Sequence, residues 1–156
     1  MDPEDYIKLA KDILENEKLK YPAAYRTVIS RVYYAAFNYG IQSLYEMGFV
    51  LPRNAASHEK IKSLLNYSGN IELRGVKESL NTLRKVRNKA DYNDDNVLFK
   101  NRDTSISYLA MAEDAIQIIK DVFSGPEREN IKNAIQEINS TTQIAHVHQA
   151  RFKCCS

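Results

Sequence analysis

The segment from Pro22 to Gly48 constrains the fold more than any other part of the chain. A proline opens it at the helical position where a missing N–H is harmless, and a glycine closes it. Between them Val28, Ile29, Val32, Ala35, Ala36, Phe37, Ile41 and Leu44 nearly encircle a helix that is expected to reach Met47. A helix with one apolar stripe needs one neighbour. A helix that is apolar most of the way round must be enclosed. Nothing elsewhere in the chain reads as a strand, so an all-α fold with this helix at its centre is expected.

The remaining punctuation divides the chain into further helices. Asp2-Pro3 forms an N-cap and first turn, and the first helix is expected to run to about Leu19 with Tyr6, Ala10, Ile13 and Leu14 on one face. Residues 48–56 read as a loop, after which Ser57 is expected to cap a short helix carrying Ile61, Leu64 and Leu65. Gly69-Asn70 break the chain before a fourth helix over residues 71–91. The run from Asp91 to Asp103, with Asn93-Asp94-Asp95-Asn96 inside it, reads as a turn. Thr104 is expected to cap a fifth helix, where Ile106, Leu109, Ala112, Ile116, Ile119 and Phe123 recur at helical spacing before Gly125-Pro126. A last helix is expected from Glu127 to about Ile138, on the stripe Ile131, Ile135, Ile138. The expected architecture is an antiparallel up-and-down bundle of four longer helices and a short one over residues 1–125. An additional C-terminal helix would occupy 126–139, and 140–156 would be a flexible tail.

Charge as a whole argues for no partner, with 22 basic against 20 acidic residues. The segment 71–91 is different, because it sets six bases against three acids and forms a modest anion-attracting patch. No apolar run is long enough to cross a membrane, and the acidic start Met1-Asp2-Pro3-Glu4-Asp5 is unlike a secretory leader, so a cytoplasmic location is expected. Cys154 and Cys155 are adjacent, a poor arrangement for a disulfide framework. With His146 and His148 they match no common zinc spacing, and no metal or cofactor is expected. His58-Glu59 does not begin a zinc-protease motif, since position 62 is a lysine. There is no Glu-x-x-His pair, phosphate-binding glycine loop or serine elbow.

One local rule is broken. Leu73, Val76, Leu80 and Leu83 define a seam on the fourth helix, and the same spacing lands next on Arg87 and then Ala90. A guanidinium on a buried seam must find partners. Asp91, four residues on, offers an ordinary ion pair worth roughly 0.2–0.5 kcal/mol when exposed. That pair has the less favourable order, base before acid, and puts an acid near a helix C-terminus. The alternative is an arginine held for an anion such as a phosphate.

The central helix carries a second pattern, Ser30-Arg31-Val32-Tyr33-Tyr34-Ala35-Ala36-Phe37. The chain has ten tyrosines and no tryptophan, and six of the tyrosines fall between Tyr21 and Tyr45. Buried phenols require hydrogen-bond partners; core packing is the plainer reading of each one alone.

Taken in order, three stretches resemble the HEPN family (higher eukaryotes and prokaryotes nucleotide-binding domain), and within it the small stand-alone prokaryotic members. They are Ser30-Arg31-x-Tyr33-Tyr34-Ala35-x-Phe37 on a long second helix, Ser57-His58 opening a short third, and Arg87-x-x-Ala90-Asp91-Tyr92 ending the fourth. The resemblance covers roughly residues 3–124. It implies a helical bundle that forms a homodimer, with the two arginine motifs facing each other across a cleft. It implies either a metal-independent ribonuclease of toxin–antitoxin or antiviral defence, or a non-catalytic nucleotide-binding partner of a minimal nucleotidyltransferase. Arg87 matches the family's arginine and Asn88 the polar residue after it. The family's histidine, four to six residues further on and thought to help activate the ribose 2′-hydroxyl, has no counterpart between Asn88 and Arg102. Tyr92 stands near its place, and tyrosine, ordinarily titrating at about 10, is a poor general base near neutrality. On this resemblance Arg87, Asp91, Tyr92 and His58 are the candidate catalytic residues. Arg31, Tyr34, Arg84 and Asn88 are candidates for holding RNA or nucleotide. A purely structural dimer, locked by Arg87 and Asp91, is the third reading.

Overall fold

The computed structural model describes residues 2–52, 54–92 and 101–138. Helix α1 spans Pro3–Glu15, α2 Pro22–Glu46, α3 Ala56–Tyr67, α4 Ile71–Tyr92 and α5 Arg102–Ser124. A last helix, α6, covers 128–138. The fold is an all-α helical bundle, and no strand occurs among the described residues.

Helix ends follow local chemistry, with three departures from the expected ends. Asp2 caps α1 by accepting from the Glu4 N–H at 2.9 Å, as expected. The helix stops at Glu15, short of Leu19, because the Asn16 side chain accepts from the Lys18 N–H and starts a separate 3₁₀ turn over Glu17–Leu19. Ser57 lies inside α3 rather than capping it. Asn54 takes the capping role, its Oδ1 accepting from the Ala56 N–H at 2.9 Å. Asn101, not Thr104, caps α5 by accepting from the Asp103 N–H at 2.9 Å. The expected turn from Asp91 to Asp103 is thereby trimmed, with 91–92 in α4 and 102–103 in α5. Its middle, 93–100, and the tail, 140–156, lie outside the described residues.

Helix α2 ends in a Schellman motif. Gly48 has φ +91°, its N–H donates to Tyr45 O at 2.9 Å, and the Phe49 N–H donates to Leu44 O at 2.9 Å. Phe49 is then folded back into the core.

Cross-helix pairs give the direction of each helix. Glu4 meets Lys120 and Lys11 meets Glu113, so α1 and α5 are antiparallel. Tyr6 packs on Tyr34, and α1, antiparallel to α5, is also antiparallel to α2, because α2 runs parallel to α5. Ile29 clusters with Ala90, and Tyr34 lies beside Arg87, so α2 and α4 are also antiparallel. Ser105 donates to Tyr25 O while Lys120 lies over Tyr39, so α2 and α5 run parallel across the diagonal. The result is an up-down-up-down bundle of α1, α2, α4 and α5. The short α3 runs antiparallel along α4 through Glu59–Arg84 and Asn66–Lys77.

Helix α2 is the enclosed one, as its pattern predicts: Val28, Ile29, Val32, Ala35, Ala36 and Leu44 are each fully buried. The seam of α4 holds too, with Leu73, Val76, Leu80 and Leu83 buried. On α5, Leu109, Ala112, Ile116, Ile119 and Phe123 face inward, but Ile106 is exposed. Ile131 and Ile135 of α6 join the same core. At Gly40, a Cβ would meet Ile61 Cδ1 at 2.8 Å, so glycine there lets α2 and α3 approach closely. No helix among the described residues is long and apolar enough to cross a membrane.

Candidate functional site

Three helices bring polar side chains to one place. Helix α2 supplies Arg31, Tyr33 and Tyr34, the N-terminal turn of α3 supplies His58 and Glu59, and the last turns of α4 supply Arg84, Arg87, Asp91 and Tyr92. Tyr6 on α1 closes one side.

Tyr34 is the hub. The guanidinium carbon of Arg87 lies 5.2 Å from its ring centroid, and that of Arg31 lies 5.8 Å from it. Arg31 also rests 5.7 Å from Tyr6, and Arg87 6.0 Å from Tyr92. Each such contact is worth about 0.5–1 kcal/mol at an exposed site. Aromatic faces thus hold two like charges near each other, although the charges repel.

Arg87 occupies the seam position the spacing assigns it, with 22% of its side chain exposed. Its Nε lies 2.6 Å from Asp91 Oδ2. That nitrogen is shielded from solvent, yet its N–H is not aligned with the oxygen, so the contact is an ion pair without a directed hydrogen bond. Nη1 donates to Asn88 Oδ1 at 3.2 Å. Arg31 Nε is likewise shielded and has no hydrogen-bond partner. Shielded donors left unsatisfied are uncommon in folded proteins and cost free energy unless something accepts from them.

Arg84 is already engaged. Its Nη1 lies 2.8 Å from Glu59 Oε1, and Lys62 lies 2.8 Å from the other oxygen. Hydrogen bonds from Lys62 and then Arg84 hold the Glu59 carboxyl below its ordinary range. Across the cluster, Arg31, Lys62, Arg84 and Arg87 face the carboxylates of Glu59 and Asp91. Positive charge is in excess, which favours an anion.

His58 enters the cluster through Tyr33. The Tyr33 hydroxyl and His58 Nδ1 are hydrogen-bonded at 2.6 Å, and the imidazole stacks on Phe37 at 4.2 Å between centroids. Burial, then the charges of Arg84 and Arg87, push the His58 pKa below its ordinary 6.5. Burial pushes the Tyr33 phenol well above its usual value, so it keeps its proton.

The structure therefore joins Arg31, Tyr34, Arg87, Asn88, Asp91 and Tyr92 directly. It connects His58 and Arg84 through Tyr33 and Glu59. The roles of Tyr6, Tyr33, Phe37 and Glu59 are not legible in the chain. Periodicity gives Tyr6 only a face on α1, and Tyr33 reads as core. No group of three or more metal-ligating side chains occurs among the described residues, and His146, His148, Cys154 and Cys155 lie outside them. A groove of about 500 Å³ between α1 and α5, lined by Ile7, Lys11, Glu113 and Lys120, shares no residue with the cluster. Its charges pair across it, Lys11 with Glu113 at 2.6 Å and Lys120 with Glu4 at 2.5 Å, which suits a structural seam.

Comparison of the chain with family models, with curated proteins and with solved structures returned no match.

Proposed function

We propose that this protein is a HEPN-like effector that binds the phosphate of RNA or of a nucleotide at the Arg87 cluster, as a homodimer with two such clusters across a cleft. One observation carries the reading: Arg31 and Arg87 share the Tyr34 ring, and the Nε of each is shielded with no aligned acceptor. A phosphate beside the two guanidinium groups offsets the excess positive charge. If the protein also cleaves RNA, it does so without metal, with Asp91, Tyr92 or His58 in place of the family's histidine.

The deciding experiment incubates labelled mixed RNA with the purified protein in EDTA, beside Arg87→Ala. Arginine-dependent cleavage supports the nuclease form, and arginine-dependent binding without cleavage supports the binding form. Equal behaviour of a folded Arg87→Ala variant overturns both.

A second reading is favoured by Tyr92, which is 80% exposed beside Arg87. In it, the protein is the partner of a minimal nucleotidyltransferase, and Tyr92 accepts an AMP group. Incubation with a minimal nucleotidyltransferase and ATP should then add the mass of AMP to the wild type and not to Tyr92→Phe. An unchanged mass, with no complex formed, removes this reading.

A further inference from the structure

The contact between Tyr33 and His58 decides what the histidine can do. Tyr33 is 2% exposed, and its hydroxyl meets His58 Nδ1 at 2.6 Å. A buried O–H donates to an acceptor when one is in reach, and Nδ1 is that acceptor. Phe37 stacked on the imidazole resists rotation of the ring away from this bond. The phenol keeps its proton because burial raises its pKa. The groups around the imidazole are Tyr33 on α2, Arg84 and Arg87 on α4, and Glu59 and Lys62 on α3. Burial and the two arginines outweigh Glu59, and the ring is neutral near pH 7. A neutral imidazole that accepts at Nδ1 carries its proton on Nε2.

We propose that Tyr33 fixes His58 as a neutral Nε2–H donor to a phosphate-ester oxygen of the ligand held by Arg87. His58 then selects the ligand, and of the three candidates named above for the base that deprotonates a ribose hydroxyl it leaves Asp91 and Tyr92. An outer nitrogen that already bears a proton has no lone pair to accept another. The inference rests on the phosphate-binding reading above and deepens it. It assigns the site one uncharged donor among its arginines.

The test compares wild type, His58→Ala, His58→Gln and Arg87→Ala for binding of AMP and of a short single-stranded RNA at pH 7.5. Nitrogen-15 NMR of the wild type reads the His58 tautomer in parallel. The Gln amide reproduces a donor near the Nε2 position but not a base. His58→Ala should weaken binding roughly tenfold, the usual weight of one hydrogen bond to a charged group. His58→Gln should bind within about twofold of wild type, since it keeps that donor, and the spectrum should show the proton on Nε2. Undiminished binding by His58→Ala, equal weakness of the Gln variant, or a proton on Nδ1 overturns the proposal. Undiminished binding by Arg87→Ala beside a weakened His58→Ala removes the Arg87 reading and leaves the His58 donor standing. A wild type that binds neither probe removes both. Preference between the probes tells a free nucleotide from RNA as the source of the phosphate.

Discussion

The Nε of Arg87 lies 2.6 Å from Asp91 Oδ2, one helical turn further along α4. The pair has the unfavoured order for a helix, and the N–H misses the oxygen. About a quarter of each side chain remains exposed, 22% and 25%, so solvent screens the attraction. The geometry is that of an arginine held in place and still able to exchange its partner.

Asp91 therefore competes with any anion for Arg87. Asp91→Asn should raise affinity for AMP or RNA a few-fold while changing stability by no more than about 0.5 kcal/mol. Titration by fluorescence anisotropy, together with urea denaturation, checks both numbers. Weaker binding in this variant would mean that Asp91 orients the arginine instead of masking it.

Tyr34 acts through its ring. Tyr34→Leu removes aromatic contact with both Arg31 and Arg87 and should cost about 1–2 kcal/mol. Tyr34→Phe keeps the ring and should stay within about 0.5 kcal/mol of wild type. Urea midpoints for the two variants separate ring from hydroxyl.

Two glycines should respond with opposite sign to alanine. Gly48 has φ +91°, and a Cβ there would have nothing within 4 Å, so Gly48→Ala meets backbone strain alone and should lose about 1–2 kcal/mol. Gly75 lies on the exposed side of α4 in open space, and Gly75→Ala should gain about 0.5–1 kcal/mol from helix propensity. Thermal melts should move in opposite directions.

His58 makes stability depend on pH. Its folded pKa lies below 6.5 because of burial and the neighbouring Arg84 and Arg87. Below 6.5 the unfolded chain takes up the proton before the folded one. Stability from this group is thus intact above 6.5 and falls as pH drops from there through the folded pKa. Denaturation midpoints at pH 8, 7, 6 and 5, referred to those of His58→Gln at the same values, isolate this contribution. A flat difference across that range would contradict the shift.

Much of the bundle follows from short-range information. Proline at Pro3 and Pro22 and glycine at Gly48 mark helix ends because their effects are confined to a turn. The seam that places Arg87 inward, and the encircling apolar pattern of α2, follow from the periodicity of one helix. The caps are less legible where polar residues crowd together. Asn54 and Ser57, or Asn101 and Thr104, are all competent to cap, and the backbone turn at each site chooses between them.

The sequence by itself determined which residues are helical, which faces are apolar and where a charge interrupts a seam, because these depend on neighbours within a few residues. Only the tertiary structure decided that His58 bonds to Tyr33, that Glu59 takes Arg84 and that Arg31 and Arg87 share Tyr34. Apart from Arg31 and Tyr34, three residues apart on α2, those partners lie on different helices, 25 or more residues apart. No local pattern encodes the packing of α3 and α4 against α2 that brings them into contact.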